Sequence, residues 1–362
     1  MKLRKELTVM VILIIVIVFA ATVLPSYPGF VINYDRFIFY PFQQARNFLL
    51  AYIPFSVGDI LYISGGIWAL ATIIRWVGYL VHFRSKKGPL ARSILRSVST
   101  ILCFYLLFIA GWGANYNKQP VSVSWHLRNG APKKRDTAQL KAFDQFLIDK
   151  INTSQKGYHA LSFNETNKRA QNYYALYTDC HVKKGVDIKL SLFSYFMDRL
   201  GVDGYYNPFT GEGQVVSDLP DFIMPFVVCH EMAHQAGIAV EEDANLISYA
   251  LCTDSYDSTF AYSAYLNIWL YTNTRLFYHD SALANRMEAQ LNPLTRLHLD
   301  TLEEFSKKYH NDAARYSNEM YDSYLKMQRQ KEGMHSYGNV SYSAWLLELQ
   351  RQQSGYSQIM IP

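Results

Sequence analysis

Two histidines flank a glutamate at His230-Glu231-Met232-Ala233-His234. In a helix, residues four apart share one face, so both imidazoles can converge on a single metal ion. Glu231 then stands beside the open coordination position, where a carboxylate can take a proton from water. A lone buried histidine is more often structural, but a pair at this spacing around a glutamate is poorly explained that way. Two imidazoles leave a catalytic zinc one protein ligand short, and a carboxylate is a standard third. Glu241, the first residue of Glu241-Glu242-Asp243, fills that role. Glu242 and Asp243 also suit the first turn of a helix, where the dipole favours acids. Asn245 follows Glu241 by one turn on the same face and can hydrogen-bond a ligating imidazole. The expected complement is one Zn2+ ion.

The surrounding residues must form the elements that position these groups. Asp221 can cap a helix, Pro225 is tolerable only near its first turn, and Phe226-Val227-Val228-Cys229 supply a buried face. Gly237 reads as the residue that ends this helix. Glu241 opens a second one, and the small Ala244 lets the two approach closely. Upstream, Val186 to Leu190 alternates apolar and polar residues as a strand does. Tyr205-Tyr206 begins a short strand that turns through Pro208 to Gly211, and residues 214–217 return antiparallel. Helical patterns cover 136–152, 164–180, 241–253, 257–278, 281–291, 297–331 and 341–352, with a loop around Ser336-Tyr337 between Gly333 and Gly338.

The run from His230 to Gly237, followed by Glu241 to Asn245, resembles the active-site helices of zincin metallopeptidases with a glutamate third ligand. Gly204-Tyr205-Tyr206-Asn207-Pro208-Phe209-Thr210-Gly211-Glu212 and Ser336-Tyr337-Gly338 narrow the resemblance to a bacterial membrane-protein family known only as domain of unknown function 3810. It covers most of the chain and implies a zinc-metallopeptidase-like fold, with no substrate attached. Such zincins often carry aspartate four residues after the ligand. Asn245 keeps the hydrogen-bond acceptor and loses the charge. The resemblance also implies that Gln214, Val215 and Val216 rim the cleft and pair with an extended peptide; an ordinary edge strand is the other reading. It gives oxyanion stabilisation to a distant side chain, for which Tyr337 is the first candidate and His335 the second; a packed tyrosine is the other, equally weighted reading of Tyr337. Glu212 reads as a turn residue more readily than as a third carboxylate of the site.

Composition explains the remainder. The chain has 362 residues, 15% aromatic content and 28 tyrosines, which is rich for a soluble enzyme. Apolar runs at 7–24, 57–80 and 97–114 are each long enough to cross about 30 Å of hydrocarbon. A cleaved signal peptide is an alternative for the first run, which is longer than a usual signal core. Lys2, Arg4 and Lys5 precede the first run, and Arg84, Lys86, Lys87, Arg92 and Arg96 separate the second from the third. The positive-inside bias then puts the N-terminus in the cytoplasm and the chain after 114 outside, against which Lys118, Arg128 and Lys133-Lys134-Arg135 dissent. Residues 33–53 suit either an interfacial segment or one packed on the catalytic domain. The formal charge of +5 follows from topology, and no aromatic-interleaved basic surface points to nucleic acid. Four cysteines give no disulfide framework, and spacing leaves open whether Cys180 and Cys252 pair.

The expected architecture is mainly α, with three N-terminal transmembrane helices and a small mixed α+β zincin-like metallopeptidase domain. Residues 1–114 form the membrane domain, 115–135 a linker and 136–362 the peptidase domain. The expected activity is that of a membrane-anchored zinc metallopeptidase hydrolysing peptide bonds on the outer face of the cytoplasmic membrane. Its partners are a peptide or protein substrate and the lipid bilayer. The alternative is a catalytically silent zincin-fold sensor or binding protein of the envelope. Intramembrane proteolysis fits poorly, because the apolar stretch before His230 is short. A structural zinc would need a fourth ligand, and Cys229 points away from the metal in a helix.

Overall fold

The computed structural model describes residues 2–127, 137–177, 186–309 and 337–354. They divide into two compact units: residues 1–118 with 207–212, and residues 119–206 with 213–362.

The first unit is helical. Helix α1 (Lys2–Val18) runs on through a wide turn at Phe19–Val23 and a tight one at Leu24–Ser26. Helix α2 is Tyr40–Leu50, α3 is Val57–Val81 and α4 is Phe83–Gly111. Three stretches, Leu3–Ser26, Val57–Val81 and Phe83–Gly111, are long and apolar enough to cross a membrane. The last begins well before residue 97, because lysine and arginine are good helix formers and carry the helix past the apolar run. Helix α2 is amphipathic in an inverted sense. Gln43, Arg46 and Asn47 are buried, while Phe48 and Leu49 are 69% and 68% exposed. Its polar face holds residues 208–211, since Gln43 Nε2 donates to Gly211 O at 2.8 Å and Arg46 Nη1 to Pro208 O at 2.7 Å. The packed reading of this segment is therefore realised on one face, and the other face is apolar and outward.

The second unit opens with α5 (Thr137–Ser154) and α6 (Phe163–Tyr177). Strands β1 (Ile188–Leu190), β2 (Gly204–Asn207) and β3 (Glu212–Val215) follow, and then α7 (Met224–Gln235), α8 (Glu241–Asp254) and α9 (Ser258–His279). Short helices at Ser281–Glu288 and Pro293–Tyr309 precede α10 (Tyr337–Ser354). Helix α9 supplies much of the core through Phe260, Tyr262, Leu266 and Trp269, each at most 2% exposed. Its Asp257 cap accepts from the amides of Thr259 and Phe260. Strand order is β1-β3-β2, with β1 parallel to β3 in the register Ile188↔Gly213 and Leu190↔Val215.

Two expectations change. Within the expected 115–135 linker, Val121, Trp125 and Leu127 are buried in the second unit's core, as apolar side chains of that size demand. Helix α10 starts at Tyr337 instead of 341, so this tyrosine opens a helix and does not sit within a loop. The Tyr337 side chain, His335, Cys180 and residues 128–136 lie outside the described residues. Cys252 is a buried free thiol.

Candidate metal centre

Helix α7 is built to be central. Every residue from Met224 to Gln235 is buried except His230, which is half-buried. Pro225 stands in the first turn as expected, but Asp221 does not cap; it accepts from the Tyr158 hydroxyl at 3.1 Å, and Ile223 holds the cap position without a side-chain bond. Gly237 ends the helix at φ +92, a backbone conformation that costs glycine least. The Ile238 amide then returns to Ala233 O at 3.1 Å and the Gly237 amide to His234 O at 2.9 Å. This sharp reversal brings Glu241, the first residue of α8, back over the histidines. Ala244, fully buried, lets the helices meet closely.

His230, His234 and Glu241 offer ligand atoms that all lie within 4.8 Å of one another. His230 Nε2 and His234 Nε2 are 3.1 Å apart. Glu241 Oε2 lies 3.2 Å from His230 Nε2, and Oε1 lies 3.5 Å from His234 Nε2. Ligands held about 2.1 Å from a tetrahedral ion are separated by about 3.4 Å, so these spacings fit a zinc-sized ion. The tautomer fits as well. His234 Nδ1 lies 2.6 Å from Ile238 O, and a carbonyl only accepts, so Nδ1 carries the proton and Nε2 keeps its lone pair for the cluster. The Asn245 carboxamide stands beside His230 and favours its charged form, and His230 Nδ1 and Asn245 Nδ2 are both buried without a hydrogen-bond partner.

Without an ion, the cluster's electrostatics are those of a buried acid–base group. Burial pushes Glu231 up to about 8; His234 opposes the rise, while Glu241 and Asp203 add to it. Burial disfavours charge on His234, yet the Glu241 and Glu231 carboxylates and the Ile238 carbonyl carry it up to about 9. Burial holds His230 below the usual imidazole range despite Glu241. For Glu241, burial opposes ionisation, but the two imidazoles hold the carboxyl well below its ordinary value. Glu231 Oε2 is buried and has no hydrogen-bond partner.

The other acids of α8 are engaged elsewhere. Asp243 accepts from the Val121 amide at 3.0 Å, and Glu242 from the Ser343 hydroxyl at 2.8 Å. Cys229 is buried with its thiol against Cys252, away from the cluster. Glu212 is neither a site carboxylate nor a plain turn residue. Its carboxylate accepts from the Val57 and Gly58 amides at 3.2 and 2.7 Å.

Gln214, Val215 and Val216 are fully buried, and Gln214 and Val215 lie on β3, the middle strand. Both ladder sides of β3 are occupied, by β1 and β2, so the expected pairing of this strand with an extended peptide does not fit its position. Strand β2 is the one at the metal cluster. A Cβ at Gly204 would lie 2.6 Å from Glu231 Oε1 and 2.9 Å from Gln214 O, and the Tyr206 ring lies 6.4 Å from that of His234. Tyr271 on α9 lies within electrostatic range of the site: burial, then the Asp203 and Glu241 carboxylates, push its hydroxyl up. Sequence spacing does not reveal Tyr206 or Tyr271. The first comes from a strand, the second from a helix 37 residues beyond His234, and both are hidden among 28 tyrosines.

A mainly helical protein with a three-stranded sheet, three membrane-length apolar helices and a clustered His-His-Glu triad is the class these features define. The chain belongs to the family described as "Protein of unknown function (DUF3810)", which matches residues 34–342. No curated protein matches it, and no solved structure does.

Proposed function

We propose that this protein is a membrane-anchored zinc metallopeptidase of zincin type that hydrolyses peptide bonds on the outer face of the cytoplasmic membrane. The observation that supports it best is the set of 3.1, 3.2 and 3.5 Å separations among the His230, His234 and Glu241 ligand atoms, at the edge length of a tetrahedral zinc site. Held there, zinc supplies Lewis-acid polarisation and lowers the pKa of water toward neutrality. Glu231 would take the proton of the attacking water and return it to the leaving amine; its Oε2 is buried beside the cluster with no hydrogen-bond partner. The Ile238 carbonyl orients His234, and Asn245, beside the unpartnered Nδ1 of His230, is the side chain placed to orient that imidazole once it holds the ion. Strand β2, in place of 214–216, is the rim against which an extended peptide would lie. Tyr337 remains the first candidate for the oxyanion donor and His335 the second, and Tyr271, near the Asp203 and Glu241 carboxylates, joins them. The outward orientation rests on the excess of Lys and Arg in the first turns of α1 and in the first half of α4, before its apolar run.

The test is the full chain in mild detergent, wild type beside Glu231→Gln, assayed for metal content and for cleavage of a peptide library. One zinc per chain in both forms, with cleavage lost only in the variant, is the expected result. Equal turnover by both forms would sink the assignment of Glu231. Zinc retained with no cleavage by either form would instead favour the silent sensor.

A further inference from the structure

Outside the metal cluster, a second group of polar side chains lies between the end of α3 and the first half of α4. A cleft of about 390 Å³ lies there, and three guanidinium groups line it: Arg75 from α3, Arg92 and Arg96 from α4. The hydroxyls of Thr72, Ser97 and Thr100 share its wall, and no carboxylate does. Arg96 pairs with Glu6 at 2.8 Å. Arg92 Nε reaches only the Gly88 carbonyl, at 3.4 Å, and Arg75 has no ion pair or hydrogen bond among the described residues. Two of the three cations therefore lack a counter-charge.

Position makes that lack informative. Arg75 sits six residues before the end of α3, about 9 Å along the helix, between Ile74 and Val77, which are 63% and 54% exposed. An ionisable side chain inside a membrane-length helix requires a charge or polar partner. Snorkelling explains a single arginine near a helix end. It does not call for three of them, from two helices, converging on one concave space with hydroxyl donors between. Planar guanidinium groups with hydroxyls are the donor set that phosphate oxygens accept from, and basic clefts between membrane helices hold phospholipid headgroups.

We propose that the α3–α4 cleft binds a phosphate-bearing anion, whether the headgroup of an anionic phospholipid or a free phosphate. This is independent of the metal cluster and of any activity there.

The experiment uses the delipidated full chain in a neutral detergent. Dioleoylphosphatidylglycerol, dioleoylphosphatidylcholine and inorganic phosphate are titrated separately, with retention read by native mass spectrometry and by thermal shift. Arg75→Gln with Arg92→Gln removes the cleft's unpaired charges. Arg84→Gln with Lys86→Gln removes the same charge from outside it. The expected result is one phosphatidylglycerol per wild-type chain, unchanged in the outside variant and weakened about tenfold or more in the cleft variant, with phosphatidylcholine not retained. Saturable protection by inorganic phosphate without lipid retention would assign the site to a free phosphate; lipid retention that phosphate does not displace would assign it to a headgroup. Equal weakening in both variants, or no weakening in the cleft variant, would overturn the proposal, as would no response to either anion. Should the arginine variant fail to fold, Thr100→Trp fills the cleft with its charges intact and must weaken binding likewise. Phosphatidylglycerol with a photoreactive acyl chain must also label α3 or α4 of the wild type, and labelling elsewhere alone would overturn the proposal.

Discussion

Asn245 is the residue at which this chain departs from the aspartate that many glutamate-type zincins carry, and its position gives the departure a measurable meaning. It stands beside His230, whose imidazole burial holds low and whose Nδ1 has no partner, and offers a dipole where a carboxylate would offer a charge. Partners that orient metal-binding imidazoles typically contribute 10–100-fold to metal affinity. Asn245→Ala should therefore weaken zinc binding by about that factor, read by chelator competition, while thermal unfolding of the metal-free chain changes little. Zinc affinity equal to that of the wild type would remove Asn245 from the site. His230, His234 and Glu241 were legible in the sequence because four-residue spacing in a helix, and a glycine stop before the next acid, leave few other geometries. Tyr206 and Tyr271 were not, because nothing in local spacing distinguishes a tyrosine near the cluster from one that packs elsewhere.

At the scale of elements, β2 and α7 approach so closely that only glycine fits at 204. An added Cβ would meet both Glu231 Oε1 and the Gln214 carbonyl, and the backbone contact at 2.9 Å cannot yield without moving the strands. Gly204→Ala should then lower turnover by about 10²-fold, the usual cost of displacing a reacting group by about 1 Å, with zinc stoichiometry unchanged. Gly213→Ala is the control. Its closest obstacle is Ile188 Cδ1 at 2.6 Å, with Glu231 Cβ and O at 3.2 and 3.4 Å and neither carboxylate oxygen among its nearest atoms, so its effect on turnover should be smaller, and equal losses in the two variants would contradict this account. The strands were legible as segments but their order was not. Period-two alternation cannot show that β3 takes β1 as a parallel neighbour and thereby closes the ladder expected to be open to substrate. Packing within α5 gives a pH prediction. Asp144 is fully buried, and burial pushes it up to about 7, against which Trp269 and Asn273 offer partial relief. Because the folded value lies above the ordinary 3.8, the folded chain binds this proton more tightly than the unfolded chain. Stability from this group is fully present below about pH 4 and is lost as pH rises to about 7, by up to about 4 kcal/mol. Asp144→Asn should raise the melting temperature at pH 8 and leave it nearly unchanged at pH 4; a gain of the same size at both values would rule the ionisation out as its cause.

At the scale of the whole molecule, the sequence shows three apolar runs and a catalytic-looking remainder, and a boundary near residue 114 follows naturally. The described structure divides differently, because residues 207–212 group with the helices of the first unit. The cause is chemical. The β2–β3 turn folds on Asn207, whose side chain accepts from the Phe209 and Thr210 amides at 3.0 and 3.2 Å. Its carbonyls are then satisfied by Gln43 and Arg46, buried on the inner face of α2, and Glu212 satisfies the first amides of α3. Helix α2 and the turn after it point Phe48, Leu49 and Tyr52 outward, an arrangement that suits a lipid-facing exterior and leaves the helix's polar groups nowhere to go but inward. No local pattern could assign those buried polar groups to partners about 160 residues away. The consequence is that residues 119–362 expressed alone would carry the hairpin tip without its hydrogen-bond partners. Limited proteolysis should cut that fragment within 207–212 and spare the same bonds in the full chain. In the full chain, Glu212→Ala strands the Val57 and Gly58 amides and should cost about 1–3 kcal/mol of stability in detergent. It should also expose the same turn to protease, whereas Asp218→Ala, an exposed acid six residues on, should do neither. Protection of 207–212 in the isolated fragment, or in Glu212→Ala, would show that the turn is held by its own strands and that the helices contribute nothing to it.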